Sequence, residues 1–460
     1  MSATFEIACG TRDLSQLIKD TSTTLMGGYG WDRRAAEKFQ SNRPLRAQCL
    51  VLHDGVSPKV LLRVDVLAFP PRIHRQIRSA VRVEGLVTAS ADFWLAASHT
   101  HSAPAMPDFP DPYLLMGVTP EEVDGIEVFA QRLVQELVEL VREVVEKARK
   151  PVTLAYAEVG AQLATNRETG KDNADDRVSV LLARSLEGAK EPVAVLFGCA
   201  CHPVSLGKNY EWDSDYCGAA SARIERELGG QGLEAALFFQ GCAGDLDPRT
   251  DFKNDLERVG SLVLALINDG PWEPVGGPIA TELECVRLPF VALRPELEAW
   301  YEKRRWGVGV RESLSREERS ARCATERHSE EMLRRIGQNA IVQSVGMPTQ
   351  AWKFNGLTLL GLGHEVVSGY DAAIRGQVRE PVWVMAYVNE VALYVPRDHQ
   401  GPSYTSGWDG GNPWMAGAVT NLVAFGWPVP LRTLKHRGLG SEGATTEEVV
   451  MEACRWIMRA

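Results

Sequence analysis

The sequence predicts an α/β fold, a mixed β-sheet core flanked by helices, in one domain spanning residues 1–460. Three observations lead there. Apolar runs of strand length recur, among them FWLAAS, PVAVLFGCACHP and EAALFFQGCAGD. Helical stretches separate some of these runs, which is the pattern of strands alternating with helices. No internal repeat and no low-complexity linker divides the chain.

Taken in order, RAQCLVLHDG and PKVLLRVDVLAF are β-rich runs joined by a short turn containing Asp54-Gly55, a hairpin signal. FWLAAS is a third strand. After a proline-rich loop, TPEEVDGIEVFAQRLVQELVELVREVVEKARK reads as a long helix. Thr119 suits its cap, Pro120 its first position, and Glu121 and Glu122 its positive end. Ile126, Phe129, Ala130, Leu133, Leu137, Leu140, Val141, Val144 and Ala148 recur at helical spacing and predict a core-facing stripe. VTLAYAEVG, RVSVLLARSL, PVAVLFGCACHP and EAALFFQGCAGD then read as strands, with helices in YCGAASARIERELGG and KNDLERVGSLVLALINDG. Residues 294–338 are highly charged and helix-prone, which predicts a solvated helical insertion rather than a binding arm. TQAWKFNGLTLLGLGHE is a hairpin with Asn355-Gly356 at its turn.

Composition bounds the function. Apolar residues make up 45% and charged residues 24%, enough for an ordinary core. The net charge of -10 gives no basic face, which excludes nucleic acid as the expected partner. No window approaches the ~20 apolar residues of a membrane-spanning helix. MSATFEIACGTRDLS lacks the basic and apolar regions of a signal peptide. The nine cysteines form no disulfide-like framework, so a cytoplasmic setting is expected.

Chemistry-bearing residues stand where the apolar strands run out. His99 and His101 follow FWLAAS, His202 follows PVAVLFGCAC, Asp245 follows LFFQGCAG, and Glu365 follows LTLLGLG. Ligands of open α/β sheets bind beyond the carboxyl ends of strands. Imidazoles with a carboxylate are the donor set of a catalytic zinc site. The bland alternative is a pair of satisfied loop histidines. Cys199 and Cys201 offer thiolate ligation or, as buried cysteines usually do, plain packing. Asp65 in LLRVDVLAF reads as a turn-capping residue, with a second metal as its alternative.

Several of these stretches resemble the motifs of the neutral/alkaline, non-lysosomal ceramidase family, in the family's order. SHTHSAP resembles THTHSGPG. GGYG (Gly27–Gly30) sits near the start, and TNR (Thr165–Arg167) resembles NRS. CHPVS (Cys201–Ser205) resembles HPTS, and DSDYCG (Asp213–Gly218) matches SSDYPG. FFQGCAGDLDP (Phe238–Pro248) resembles FxQxNAGDxxP, GLGHE (Gly361–Glu365) resembles LPGE, and YVNEVALYV (Tyr387–Val395) resembles the segment before YVTT. The resemblance covers most of residues 20–425, the family's N-terminal catalytic domain. It implies a ceramidase-like catalytic fold holding one zinc ion. By the same resemblance His99, His202, Glu365 and Tyr394 are the zinc ligands. His101 is a second, non-ligand histidine that orients or protonates the reacting group. Arg167 polarises a carbonyl or clamps an anionic part of the substrate.

The sequence also departs from that pattern. Gly241 stands where the family carries a serine, Cys242 follows it, and His364 stands beside Glu365 where the family has a glycine. The 460 residues are expected to leave no room for the family's immunoglobulin-like domain after the catalytic one. These departures predict a small-molecule substrate, smaller and more soluble than ceramide. The expected activity is zinc-dependent hydrolysis of an amide or ester bond of an N-acyl-type substrate. A metal-dependent isomerase or lyase acting on a polyol or sugar-like substrate is the alternative, with His101 or His399 moving protons. A non-catalytic metal-binding protein on the same fold is a further one. The glycine- and proline-rich YTSGWDGGNPWM is expected to be a loop shaping the pocket.

Overall fold

Twelve strands form one branched sheet in the computed structural model, which describes residues 4–29, 33–40, 42–107, 118–167, 176–187, 191–289, 298–299, 301–302, 316–340, 344–397, 400 and 446–459. In chain order the strands are β1 (Phe5–Asp13), β2 (Arg46–His53), β3 (Pro58–Val64), β4 (Phe93–Ala97), β5 (Lys150–Gly160), β6 (Arg177–Ser185), β7 (Pro192–Cys199), β8 (Ala235–Gln240), β9 (Glu273–Pro289), β10 (Ser344–Asn355), β11 (Leu357–Leu362) and β12 (Val382–Met385). His399 and the segment YTSGWDGGNPWM lie outside the described residues.

The branch point is β5. One edge pairs with β6 along most of its length. The other edge pairs with β1 at Lys150–Val152 and with β9 at Leu154–Tyr156. Three arms leave it: β1-β2-β3-β4, β6-β7-β8 and β9-β10-β11-β12. The arms are antiparallel until their tips, and each tip is a parallel pair: β3 with β4, β7 with β8, β11 with β12. A parallel pair needs a crossover, usually helical. The crossovers contain α2 (Pro71–Val83), α4 (Asp215–Leu228) and α8 (Gly369–Arg375), so every arm ends in a βαβ unit.

The arms pack face to face. Leu61, Trp94, Leu196, Leu237 and Phe239 meet Trp352, Phe354, Leu359 and Trp383 in one buried cluster. Trp94 and Trp352 stand edge to face at 5.7 Å. Helices cover the outer faces. The helices α1 (Ser15–Asp20), α2 and α3 (Pro120–Glu146) close over the first arm. On the second arm the cover is α4 and α6 (Arg258–Asp269), after the short α5 (Thr250–Lys253). The third arm is covered by α8, α9 (Thr446–Arg459) and the Ile336 end of α7 (Arg316–Gly337). Each fully buried aliphatic or aromatic side chain in these layers contributes ~1.5–3 kcal/mol.

Most elements expected from the sequence are present. The helix α3 begins with a capping box: the Glu122 amide donates to the Thr119 hydroxyl at 3.3 Å, and the Thr119 amide donates to Glu122 at 2.8 Å. Its apolar stripe from Ile126 to Val144 faces the core, as periodicity predicted, but the helix ends at Glu146 and Ala148 beyond it is exposed. The β10–β11 hairpin turns at Asn355-Gly356, where Gly356 has φ 93°. The charged stretch at 294–338 yields the helix α7 over its described C-terminal part. The strands β1, β9 and β12 and the helices α1, α2, α5, α8 and α9 were not read from the sequence.

Candidate metal centre

The tips of all three arms point their carboxyl ends at one place. Beyond β4 the chain turns at His99, which takes the left-handed conformation at φ 67°. Its amide donates to the Val66 carbonyl at 3.1 Å, fixing the imidazole beneath the loop that follows β3. Beyond β7 comes His202, whose amide donates to Leu246 at 3.0 Å. Beyond β11 comes Glu365, whose amide donates to Leu393 at 2.9 Å. Ala386 ties β12 to β8 by donating to Gln240 at 3.0 Å.

The side chains converge. The Nε2 atoms of His99 and His202 are 3.2 Å apart, and those of His101 and His99 are 3.4 Å apart. One carboxylate oxygen of Glu365 lies 3.4 Å from His99 Nε2 and 3.3 Å from His202 Nε2. His99, His202 and Glu365 are buried. The far nitrogens explain the orientation. His99 Nδ1 is 2.7 Å from the Leu67 carbonyl oxygen, and His202 Nδ1 is 2.7 Å from that of Ala243. A carbonyl only accepts, so each Nδ1 carries the hydrogen and each Nε2 turns a lone pair inward. Metal-ligating histidines are held in this way.

Electrostatics agree. Burial, reinforced by His99 and His202, holds His101 well below the ordinary histidine range. Burial and then Arg167 lower His202. Burial works against charge on Glu365, but His99 and His202 outweigh it and hold the carboxyl well below its usual range. Imidazoles that turn their Nε2 lone pairs inward beside an ionised carboxylate are the donor set that a cation requires. Among the described residues, His99, His101 and His202 are a group able to hold a metal ion.

Among the described residues, each one singled out from the sequence has a definite place. His101 has its Nε2 at the cluster, so it stands beside His99 as the two-residue spacing suggested. Arg34, fully buried, donates to the Gly27 and His101 carbonyls. Glu365 rather than His364 faces the histidines. His364 accepts from the Ala392 amide at 3.1 Å and donates to the Gly346 carbonyl at 2.9 Å, which turns it away. Tyr394 is half-buried at the rim, where its hydroxyl accepts from Arg167 at 3.1 Å and its ring lies 5.4 Å beneath the guanidinium. Arg167 also donates to the Gly244 carbonyl. Asp245 braces the loops by accepting from Asn166 at 2.8 Å and from the Ser368 amide at 2.7 Å.

The thiolate alternative fails. Cys199 and Cys201 are packed in the core, and burial raises the Cys201 thiol well above its ordinary value. Asp65 is bound by Arg63 at 2.6 Å and by the Arg46 amide at 3.0 Å, the turn-capping role. Gly241 packs against Ala200, where an added Cβ would lie 3.0 Å from the Ala200 Cβ. Sequence reasoning missed Tyr387, whose ring lies 4.3 Å from the His99 ring. The signal was available, because Tyr387 also follows an apolar strand, PVWVMA.

No family model matches the chain, and no curated protein matches it. Solved structures do. Neutral ceramidase from Pseudomonas aeruginosa superposes with a TM-score of 0.64 at 17% identity, covering 92% of this chain and 74% of that one. A ceramidase complexed with C2 gives a TM-score of 0.63 at 15% identity, covering 92% and 73%. At such identities the likeness speaks for architecture alone, and it agrees with the order of motifs along the sequence. The chain has the neutral ceramidase fold.

Proposed function

We propose that this protein is a zinc-dependent hydrolase that cleaves an amide or ester bond of a small N-acyl-type substrate in the cytoplasm. One observation carries the reading: the inward-facing Nε2 atoms of His99 and His202 share a single Glu365 carboxylate oxygen, at 3.4 and 3.3 Å. Two imidazoles and a carboxylate, with a third imidazole beside them, suit zinc better than hard, oxygen-seeking cations. Zinc, when bound there, supplies a Lewis acid and lowers the pKa of water to ~7.

The chain's own residues would do the rest. His99, His202 and Glu365 would hold the ion, with Tyr394 at the rim as the fourth candidate. His101 would manage the proton through Nε2. Hydrolysis adds the hydroxyl of one water to the acyl carbon, breaks the C–N bond, and sends the remaining proton through His101 to the leaving nitrogen. Arg167 would stabilise the oxygen that gains negative charge.

Metal content is the first measurement. Near-stoichiometric zinc in tag-free protein, followed by release of free amine from N-acyl substrates, supports the hydrolase. Bound zinc without amine or alcohol release turns attention to the isomerase or lyase reading. No metal, even after reconstitution, sinks the proposal.

A further inference from the structure

Tyr387 carries two features that core packing alone does not explain. It takes the left-handed conformation at φ 59°, which bulky residues seldom adopt. Its hydroxyl is buried with no hydrogen-bond partner among the described residues. A phenylalanine would fill the same space without leaving a polar atom unsatisfied.

The backbone holds this residue firmly. The Tyr387 amide donates to the His364 carbonyl at 3.2 Å, and its own carbonyl accepts from Ala97 at 3.3 Å. The exits of β4, β11 and β12 are thus joined at this one residue. The ring lies 4.3 Å from the His99 ring and stands at 89° to the His202 ring, 6.3 Å away. Glu365, Tyr394 and Arg167 are the polar groups whose fields reach it. Strained backbone positions that the surroundings over-determine cluster at functional sites. His99, His364 and Asn389, at φ 67°, 72° and 67°, make the same kind of turn in the same place.

We propose that Tyr387 is a substrate-binding residue of the metal centre, its hydroxyl donating a hydrogen bond to the acyl oxygen of a ligand lodged between the histidines and Arg167. This rests on the metal-centre reading above. The phenol moves no proton; it donates to an oxygen that gains charge.

The test uses the full chain loaded with cobalt(II), titrated with acetohydroxamate and followed by visible absorption, for wild type and Tyr387→Phe. The variant is expected to bind cobalt stoichiometrically with the same resting spectrum, and acetohydroxamate ~10-fold more weakly, the loss of one hydrogen bond. The metal-free variant is expected to melt at or above the wild-type temperature, because it sheds an unsatisfied hydroxyl. Equal acetohydroxamate affinities, or no acetohydroxamate binding to wild type, would overturn the inference and leave the metal centre standing. Loss of cobalt or a lower melting temperature in the variant would also overturn it, making the hydroxyl a ligand or a structural prop. Failure of wild type to take up cobalt would bring down both readings.

Discussion

The Nδ1 of His202 lies 2.7 Å from the carbonyl oxygen of Ala243, and that single contact decides which nitrogen the ring offers to the centre. His99 repeats the arrangement with Leu67. Even a residue that only orients a metal ligand is commonly worth ~10–100-fold in metal affinity. Replacing the ligand itself should cost more. His99→Ala and His202→Ala are each expected to weaken zinc binding more than ~100-fold, read by competition with a chromophoric chelator. Zinc retained at wild-type affinity in either variant would refute the ligand set.

Gly28 is the floor beneath His101. It has φ 89°, and a Cβ there would fall 2.6 Å from His101 Nδ1. Gly28→Ala therefore combines backbone strain with a displaced imidazole. The expected loss of stability is ~1–3 kcal/mol in urea denaturation. Zinc content should survive, since the three atoms nearest the added Cβ all belong to His101, which stands beside the proposed ligands rather than among them.

Gly241→Ser tests whether a serine hydroxyl can simply be supplied at this position. The added Cβ would lie 3.0 Å from the Ala200 Cβ and 3.1 Å from its backbone Cα and nitrogen. Overpacking against backbone costs ~1–3 kcal/mol. Gly241→Ala, which adds the same atom without the hydroxyl, should be destabilised equally. A fully stable Gly241→Ser protein would show that the β7 exit yields more readily than its packing implies.

The strand exits were the legible part of this molecule. His99, His101, His202 and Glu365 announced themselves because polar residues directly after apolar strands need a reason to be there. The sequence favoured Glu365 over His364, but the reason was not legible, because it lies in the Ala392 amide and the Gly346 carbonyl, far off in sequence, which turn His364 away. Three of the unread elements hid for different reasons. In α2, arginines mask a narrow buried stripe of Ile73, Ile77 and Val81. In β9, Gly276, Gly277 and Pro278 break the alternation, and the β9–β10 register shifts between Gly276 and Ala280. The strand β1 ends in Arg12 and Asp13, and its buried residues stop at Cys9, so no apolar run of full strand length marks it.

His74 predicts an acid-sensitive fold. Its Nε2 accepts from Arg78 at 2.9 Å and its Nδ1 lies 3.0 Å from the Glu390 carboxylate, so the ring is held neutral. Burial, aided by Arg78 and opposed by Glu390, pushes its pKa down to about 4. A base whose folded pKa is depressed contributes stability above its unfolded value of ~6.5, and that contribution is lost as the pH falls toward the folded one. Against a His74→Gln reference, wild type should lose about 2.5 kcal/mol between pH 7.5 and 4.5, by linkage. Urea denaturation of both proteins at the two pH values measures it. Parallel pH profiles would show that the imidazole charges freely.

His99, His202 and Glu365 each come from a different arm of the branched sheet, and His99 and His202 are 103 residues apart in the chain. An ion held by all three would act as a cross-link among segments that folding must otherwise bring together unaided. Its binding energy would then appear as resistance to unfolding, ~4 kcal/mol at a thousandfold excess over the dissociation constant. Affinity for the ion becomes a gauge of the whole scaffold: a slackened strand far from any histidine would register first as a looser grip on the metal.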